Sequence, residues 1–179
     1  MSLNSTHIVL VTEQDTVLGT LEKIEGHSHE TPLHRGFSAF LFNADNKLLI
    51  QKRAIHKKTW PGFWSNSFCG HPQINETYEQ AVHRHAKFEL NTELKELHFI
   101  FTYRYRVSYN NLVENEICPV YFAKLGLDVK PNDQEIEDIK WVEWKEFMKL
   151  QTLNPKQFTP WCLEETKKLN ENQLFKTLL

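Results

Sequence analysis

Two short segments hold the residues best suited to chemistry. Cys69 and His71 lie in Asn66-Ser67-Phe68-Cys69-Gly70-His71-Pro72, and Glu114 and Glu116 lie in Val113-Glu114-Asn115-Glu116-Ile117-Cys118. In an extended chain residues i and i+2 point the same way, so each pair presents its groups to one face of a strand. Two such strands facing each other build a pocket with the parts of a metal site beside a proton-transfer site. Taken alone, each pair has a plainer account: a Cys beside a Gly is an ordinary small core residue, and Glu-x-Glu on a strand commonly faces water. Company shifts the balance. His27 and His34 sit in a polar stretch before the first long strand and bring two further imidazoles. Three histidines with two carboxylates suit a divalent transition metal such as Mn or Zn better than Ca or Mg.

The elements that must position these groups are legible from periodicity and turn chemistry. Apolar runs at His7–Thr12 and Gly19–Ile24 flank a polar turn at Glu13–Thr16 and read as a hairpin. Phe37–Asn43 and Lys47–Arg53, joined by Ala44-Asp45-Asn46, form a second one. Thr59-Trp60-Pro61-Gly62-Phe63-Trp64 breaks the pattern as a loop leading into the Cys69 strand. Glu76 to Leu90 is an amphipathic helix, with Tyr78, Val82, Ala86 and Leu90 on a shared face at four-residue steps. His98–Tyr109 and Leu112–Lys124 are two long strands around a Tyr-Asn-Asn turn. Ile139–Trp144 adds a strand and Lys145–Leu150 a short helix. Thr159-Pro160-Trp161 supplies an N-cap and a first-turn proline, which predicts a last helix from Pro160 to Leu178 with Trp161 in its first turn. The count gives an α+β domain, a mixed or antiparallel sheet with helices packed on it.

A chain of 179 residues suits one sizeable core, so residues 1–179 are expected to form a single domain. A net charge of -2 argues against nonspecific nucleic-acid binding and leaves a small anionic ligand as the better partner. No apolar run approaches the ~18 residues of a membrane span, and the start lacks the basic and apolar regions of a signal peptide. Cys69, Cys118 and Cys162 are odd in number with no C-x-x-C pair, so no disulfide framework is expected. A cytoplasmic protein, monomeric or weakly dimeric, follows as the expectation.

The helix carries a more specific signal. Gly70-x5-Glu76-x7-Arg84 resembles the opening of the Nudix box, G-x5-E-x7-R-E-U-x-E-E-x-G-U, a loop-helix-loop that brings carboxylates to a diphosphate-bound metal. Its ending departs: His85, Phe88 and Asn91 stand where the box has Glu, Glu and Gly, leaving Glu89 alone of the acidic cluster. Hydrolysis of a nucleoside diphosphate depends on that cluster, so a hydrolytic Nudix enzyme is disfavoured. Asn91 still suits the left-handed position after a helix.

Trp60 to Pro72, this altered box, Arg104-Tyr105-Arg106, Val113 to Glu116 and Thr159-Pro160-Trp161 together closely resemble the type 1 isopentenyl-diphosphate isomerases, from about His7 to Trp161. That family has a Nudix-like fold and interconverts isopentenyl and dimethylallyl diphosphate. The resemblance implies that Cys69 and Glu116 are the acid–base pair on opposite faces of the alkene, that Trp161 faces the carbocation and that Tyr105 assists Glu116. A tertiary carbocation is captured by water at once, so such a site must be dry and lined with π-faces; a cation over a desolvated indole gains about 2 kcal/mol or more. The resemblance further implies that Mn or Zn is bound by His27, His34, His71, Glu114 and Glu116. It implies that Glu89 binds a Mg ion bridging the diphosphate, and that Lys23, Arg53 and Lys57 contact the phosphates. His85 stands where better-known bacterial members have an arginine, and is a candidate contact weakened by its neutral form. Arg84 belongs to the box and is expected to orient its glutamates. His29, His56, His83 and His98 receive no role. A Nudix diphosphohydrolase and a noncatalytic metal-binding protein of the same fold remain the alternatives.

Overall fold

The computed structural model describes residues 7–26, 30–125 and 128–179. Strands β1 (His7–Val11) and β2 (Val17–Glu22) form the first hairpin, with Asp15 at positive φ in its turn. The chain does not continue as strand to Ile24: Lys23–Gly26 is a single helical turn, α1, and the cavity described below takes Lys23 from it. After β3 (His34–Arg35), β4 (Phe37–Phe42) and β5 (Leu48–Arg53) flank the anticipated turn, where Asn46 takes φ 57°. Beyond the pair Phe42 and Leu48 the two strands part. β5 then pairs with β6 (Trp64–Ser65) and β10 (Ile136–Val142), while β4 pairs with β7 (Phe68–Gly70).

The long strands β8 (Leu94–Tyr109) and β9 (Leu112–Leu125) turn back on each other through Asn110 and Asn111, both at positive φ. That conformation matches the twist of a two-residue hairpin and suits Asn. β9 also runs parallel to β3 and β4, so the sheet is mixed; among the described residues it has ten strands, with the main order β10-β5-β4-β9-β3-β1-β2. Every residue of β4 is buried, as expected for a central strand covered on both faces.

One face is covered by α2 (Tyr78–Leu90), which opens with a Thr77–Gln80 capping box and ends on Asn91 in the left-handed conformation. Ala81, Val82, Ala86 and Leu90 pack there against Phe37, Ala39, Leu41 and Tyr121, while Tyr78 is only half-buried. Against the other face lie α3 (Trp144–Leu153), α4 (Pro160–Glu171) and α5 (Gln173–Leu178), with Phe147, Trp161, Leu169 and Phe175 meeting Phe40, Phe42, Val120 and Phe122. Two readings of this region need correction. Trp144 begins α3 rather than ending a strand. The last helix is also interrupted at Asn172, whose side chain accepts from the Phe175 amide and starts a new helix. Thr159 gives no side-chain cap; its hydroxyl lies 2.9 Å from that of Ser65 and ties α4 to β6.

Candidate active site

Register brings the chemical groups to one sheet face. Cys69 pairs with Ser38 on β4, Tyr105 with Glu116 and Tyr103 with Cys118 between β8 and β9, and His34 with Glu116 between β3 and β9. The face opens into a cavity of about 780 Å³ lined by Cys69, His71, Tyr105, Glu114, Glu116 and Trp161, with Lys23, Arg53, Lys57, His85 and Glu89 also contributing.

At one corner His34, His71, Glu114 and Glu116 each offer a ligand atom, all within 4.8 Å of one another and all buried. Buried Glu-x-Glu is thus directed into the protein rather than into water. His34 Nδ1 donates to the Pro32 carbonyl at 2.9 Å, which turns Nε2 towards Glu116 Oε1 at 3.6 Å; His71 Nε2 lies 3.1 Å from the same oxygen. Anchoring one imidazole nitrogen on a carbonyl and aiming the other inward is how metal-ligating histidines are oriented. Burial pushes the Glu116 carboxyl up, but the two imidazoles more than offset this and hold it well below the usual carboxylate range. Burial, with Lys23, keeps the His71 imidazole well below its ordinary value despite the pull of Glu116. Neutral His71 and ionised Glu116 are in the forms that ligate, and with the His34 and Glu114 ligand atoms beside them the corner fits a divalent transition cation. Gly36 completes the corner, because a Cβ there would overlap the Glu116 carboxylate. His27 lies outside the described residues.

Cys69 is a free thiol, and burial pushes it up to about 12, with the Arg53 guanidinium acting in the opposite direction. The same cavity carries an aromatic wall. Trp161 is 3 % exposed, its ring stacked on Tyr105 with centroids 6.3 Å apart and meeting the Trp60 ring edge-on at 5.0 Å. Its indole nitrogen donates to Asn66 Oδ1 at 3.2 Å, and Asn66 is itself fixed by bonds to the Ala39 and Phe68 carbonyls. Burial, reinforced by Glu116, raises the Tyr105 hydroxyl well above its ordinary range, so it keeps its proton.

The cations are less generic than surface charges. Arg53 is buried, donates to the Thr59 carbonyl and hydroxyl, and holds its guanidinium carbon 5.4 Å from the centre of a Trp161 ring. Lys57 pairs with Glu135, and burial lowers the Lys23 ammonium from its ordinary value. His85 is buried against Gly70, where any Cβ would overlap the ring, and its Nδ1 lies 2.8 Å from Glu89 Oε1. Arg84 binds Glu76 through two nitrogens and donates to the His71 carbonyl, so the box opening orients the metal corner from behind. His56, given no role from the sequence, lines the cavity rim and bonds the Gln134 carbonyl. The sequence reading also missed Gly36, Asn66 and Glu165. Glu165 is fully buried on α4, one turn after Trp161; the only signal for it is a carboxyl four residues after Trp161 on an apolar helix face.

The NUDIX domain family model matches residues 32–162. Crystal structures of a Deinococcus radiodurans protein (TM-score 0.73, 22 % identity, covering 90 % of this chain and 98 % of that one) and of a MutT protein from Methanosarcina mazei (TM-score 0.60, 16 % identity, covering 80 % and 99 %) share the fold. At the sequence level the chain is 44 % identical over 170 residues to an isopentenyl-diphosphate Delta-isomerase from Klebsiella pneumoniae, covering 93 % of this chain and 92 % of that protein. A Salmonella paratyphi B isomerase is 44 % identical over 159 residues, covering 88 % of each. With likeness of that extent spanning both the box helix and the Cys69, Glu116 and Trp161 segments, the chain belongs to the isopentenyl-diphosphate isomerase family of the NUDIX superfamily.

Proposed function

We propose that this protein interconverts isopentenyl diphosphate and dimethylallyl diphosphate through a tertiary carbocation, with Cys69 and Glu116 as the proton-transfer pair. The observation that carries the reading is the meeting of these two groups with the Trp161 and Tyr105 rings in one cavity. Cys69 enters as a thiol and Glu116 as a carboxylate. Cys69 gives its proton to the terminal alkene carbon, leaving a thiolate near Arg53 and a cation at the branched carbon. Glu116 then takes a proton from the carbon next to the diphosphate-bearing one, which forms the new double bond. In the reverse direction the two exchange roles. Trp161 offers its π-face to the cation, and the buried wall keeps water from capturing it. Tyr105, with its proton retained, assists Glu116.

His34, His71, Glu114 and Glu116, with His27, would hold Mn or Zn, which when bound fixes Glu116 and tunes its basicity. Glu89 would hold a Mg ion on the diphosphate, whose anionic oxygens meet Lys23, Arg53, Lys57 and His85. The departures at His85, Phe88 and Asn91 disfavour a diphosphohydrolase, since His85 occupies Glu89 where the box would supply another carboxylate. Three free cysteines support a cytoplasmic setting; among the described residues no helix is long and apolar enough to cross a membrane.

The test incubates Mn- and Mg-loaded protein with isopentenyl diphosphate in deuterated water, followed by NMR beside Cys69→Ala. Dimethylallyl diphosphate carrying solvent deuterium is expected, with a rate lower by about 10⁴-fold or more in the variant. Dialysis against a chelator should abolish turnover and added Mn restore it. An unchanged alkene sinks the reading, and phosphate release from nucleotides would put the hydrolase in its place.

A further inference from the structure

Glu165 is a buried carboxyl that the chemistry above leaves without a task. It follows Trp161 by four residues on α4, so both side chains leave the same helix face. Its Oε1 accepts from the Tyr103 hydroxyl at 3.1 Å, and the Cys118 thiol approaches the same atom at 3.8 Å. Its Oε2 is buried with no hydrogen-bond partner among the described residues. Tyr103 stacks on Tyr105, with centroids 5.5 Å apart and planes 24° apart, and Tyr105 stacks on Trp161. The circuit closes: β8 supplies two rings, and α4 supplies both the third ring and the carboxyl that holds the first. A buried carboxyl is costly, and an apolar side chain of similar size would fill the space without that cost. Burial pushes Glu165 up to about 8, against the Ser38 and Tyr103 hydroxyls. Stability alone therefore does not account for the residue.

We infer that Glu165 is a positioning residue for the isomerisation, holding Tyr103 so that Tyr105 and Trp161 present fixed faces to the reacting carbons. This rests on the isomerase reading of the Cys69, Glu116 and Trp161 cavity. Neither Glu165 nor Tyr103 lines the cavity, so both act through the wall rather than on the substrate.

The experiment compares Glu165→Leu, Glu165→Gln, Tyr103→Phe and the Glu165→Leu/Tyr103→Phe double variant in steady-state turnover and thermal unfolding, in metal-loaded protein well below the unfolding temperature. Glu165→Leu should lower kcat about tenfold with KM within about twofold, the scale seen when an outer partner of a site is lost. Its unfolding temperature should not fall with it. Glu165→Gln, whose amide oxygen also accepts from Tyr103, should recover kcat to within about threefold of the parent. The double variant should be no slower than Glu165→Leu, because the Tyr103 contact that Tyr103→Phe removes is already lost in Glu165→Leu. Should Glu165→Leu not fold, Tyr103→Phe carries the same kcat-against-KM test. Multiplying losses in the double variant, or unchanged kcat in Glu165→Leu or Tyr103→Phe, overturns the positioning role while the isomerase reading stands. Absence of turnover in the parent protein overturns the isomerase reading itself.

Discussion

On the α2 face of the sheet, Phe37, Ala39, Leu41 and Phe68 meet Ala81, Val82 and Ala86 with every one of these side chains fully buried. On the α4 face β4 and β7 offer Ser38 and Cys69, β9 adds Glu116 and Cys118, and the helix answers with Trp161, Cys162 and Glu165. Side chains alternate along a strand, so the two faces are built from interleaved residues of one backbone. The first is packed like a crystal and its contribution is rigidity. The second keeps a cavity open, buries carboxyls and thiols, and relies on the first to hold those costly groups in place. A chemically demanding site is thus carried by the face whose packing is least favourable by itself.

The largest effect is expected at the His34, His71, Glu114 and Glu116 corner. Gly36→Ala should cost roughly a hundredfold or more in kcat/KM and weaken Mn retention, since the new methyl overlaps the Glu116 carboxylate and displaces it. Bound Mn and turnover measured together check it; parent-like values for both would mean that the corner is looser than its packing implies. Leu41→Ala probes the opposite face. It should lower unfolding stability by about 2–3 kcal/mol through the cavity left behind, with kcat unchanged at a temperature where the variant is folded, as urea titration and turnover would show. A fall in kcat there would mean that the two faces are coupled rather than divided in task.

A further effect is a pH dependence. Glu165 is pushed from an ordinary 4.5 up to about 8 in the folded chain. Between those values the unfolded state has released this proton and the folded state retains it, so Glu165 makes stability fall as pH rises from 4.5 towards 8. Glu165→Gln removes that contribution and should flatten the decline, measured as the difference in urea midpoint across that range. A decline identical in both proteins would mean that Glu165 ionises in the fold as it does in water.

Local signals were faithful where the structure is locally determined. Asn46, Asn110, Asn111 and Asn91 mark turns and a helix end because a short polar side chain tolerates positive φ, and all four adopt it. Cys69, His71, Glu114 and Glu116 stood out by type and two-residue spacing and line one cavity in the structure; the roles expected of Trp161, Tyr105 and the cations came from the family resemblance alone. Reading α4 and α5 as one helix failed because helix formers run through Asn172, and only its bond to the Phe175 amide shows that the chain restarts there.

By itself the sequence determined the alternation of strands, the box helix and the set of groups available for metal binding and proton transfer, since these depend on neighbours a few residues apart. Tertiary structure alone decided that buried Glu116 faces two imidazoles, that Gly36 makes room for it, that Asn66 holds the Trp161 indole across a separation of 95 residues and that Glu165 reaches Tyr103 across 62. Burial and long-range contact set the charge of a carboxyl and the orientation of a ring, and neither is a property of the residues adjacent in the chain.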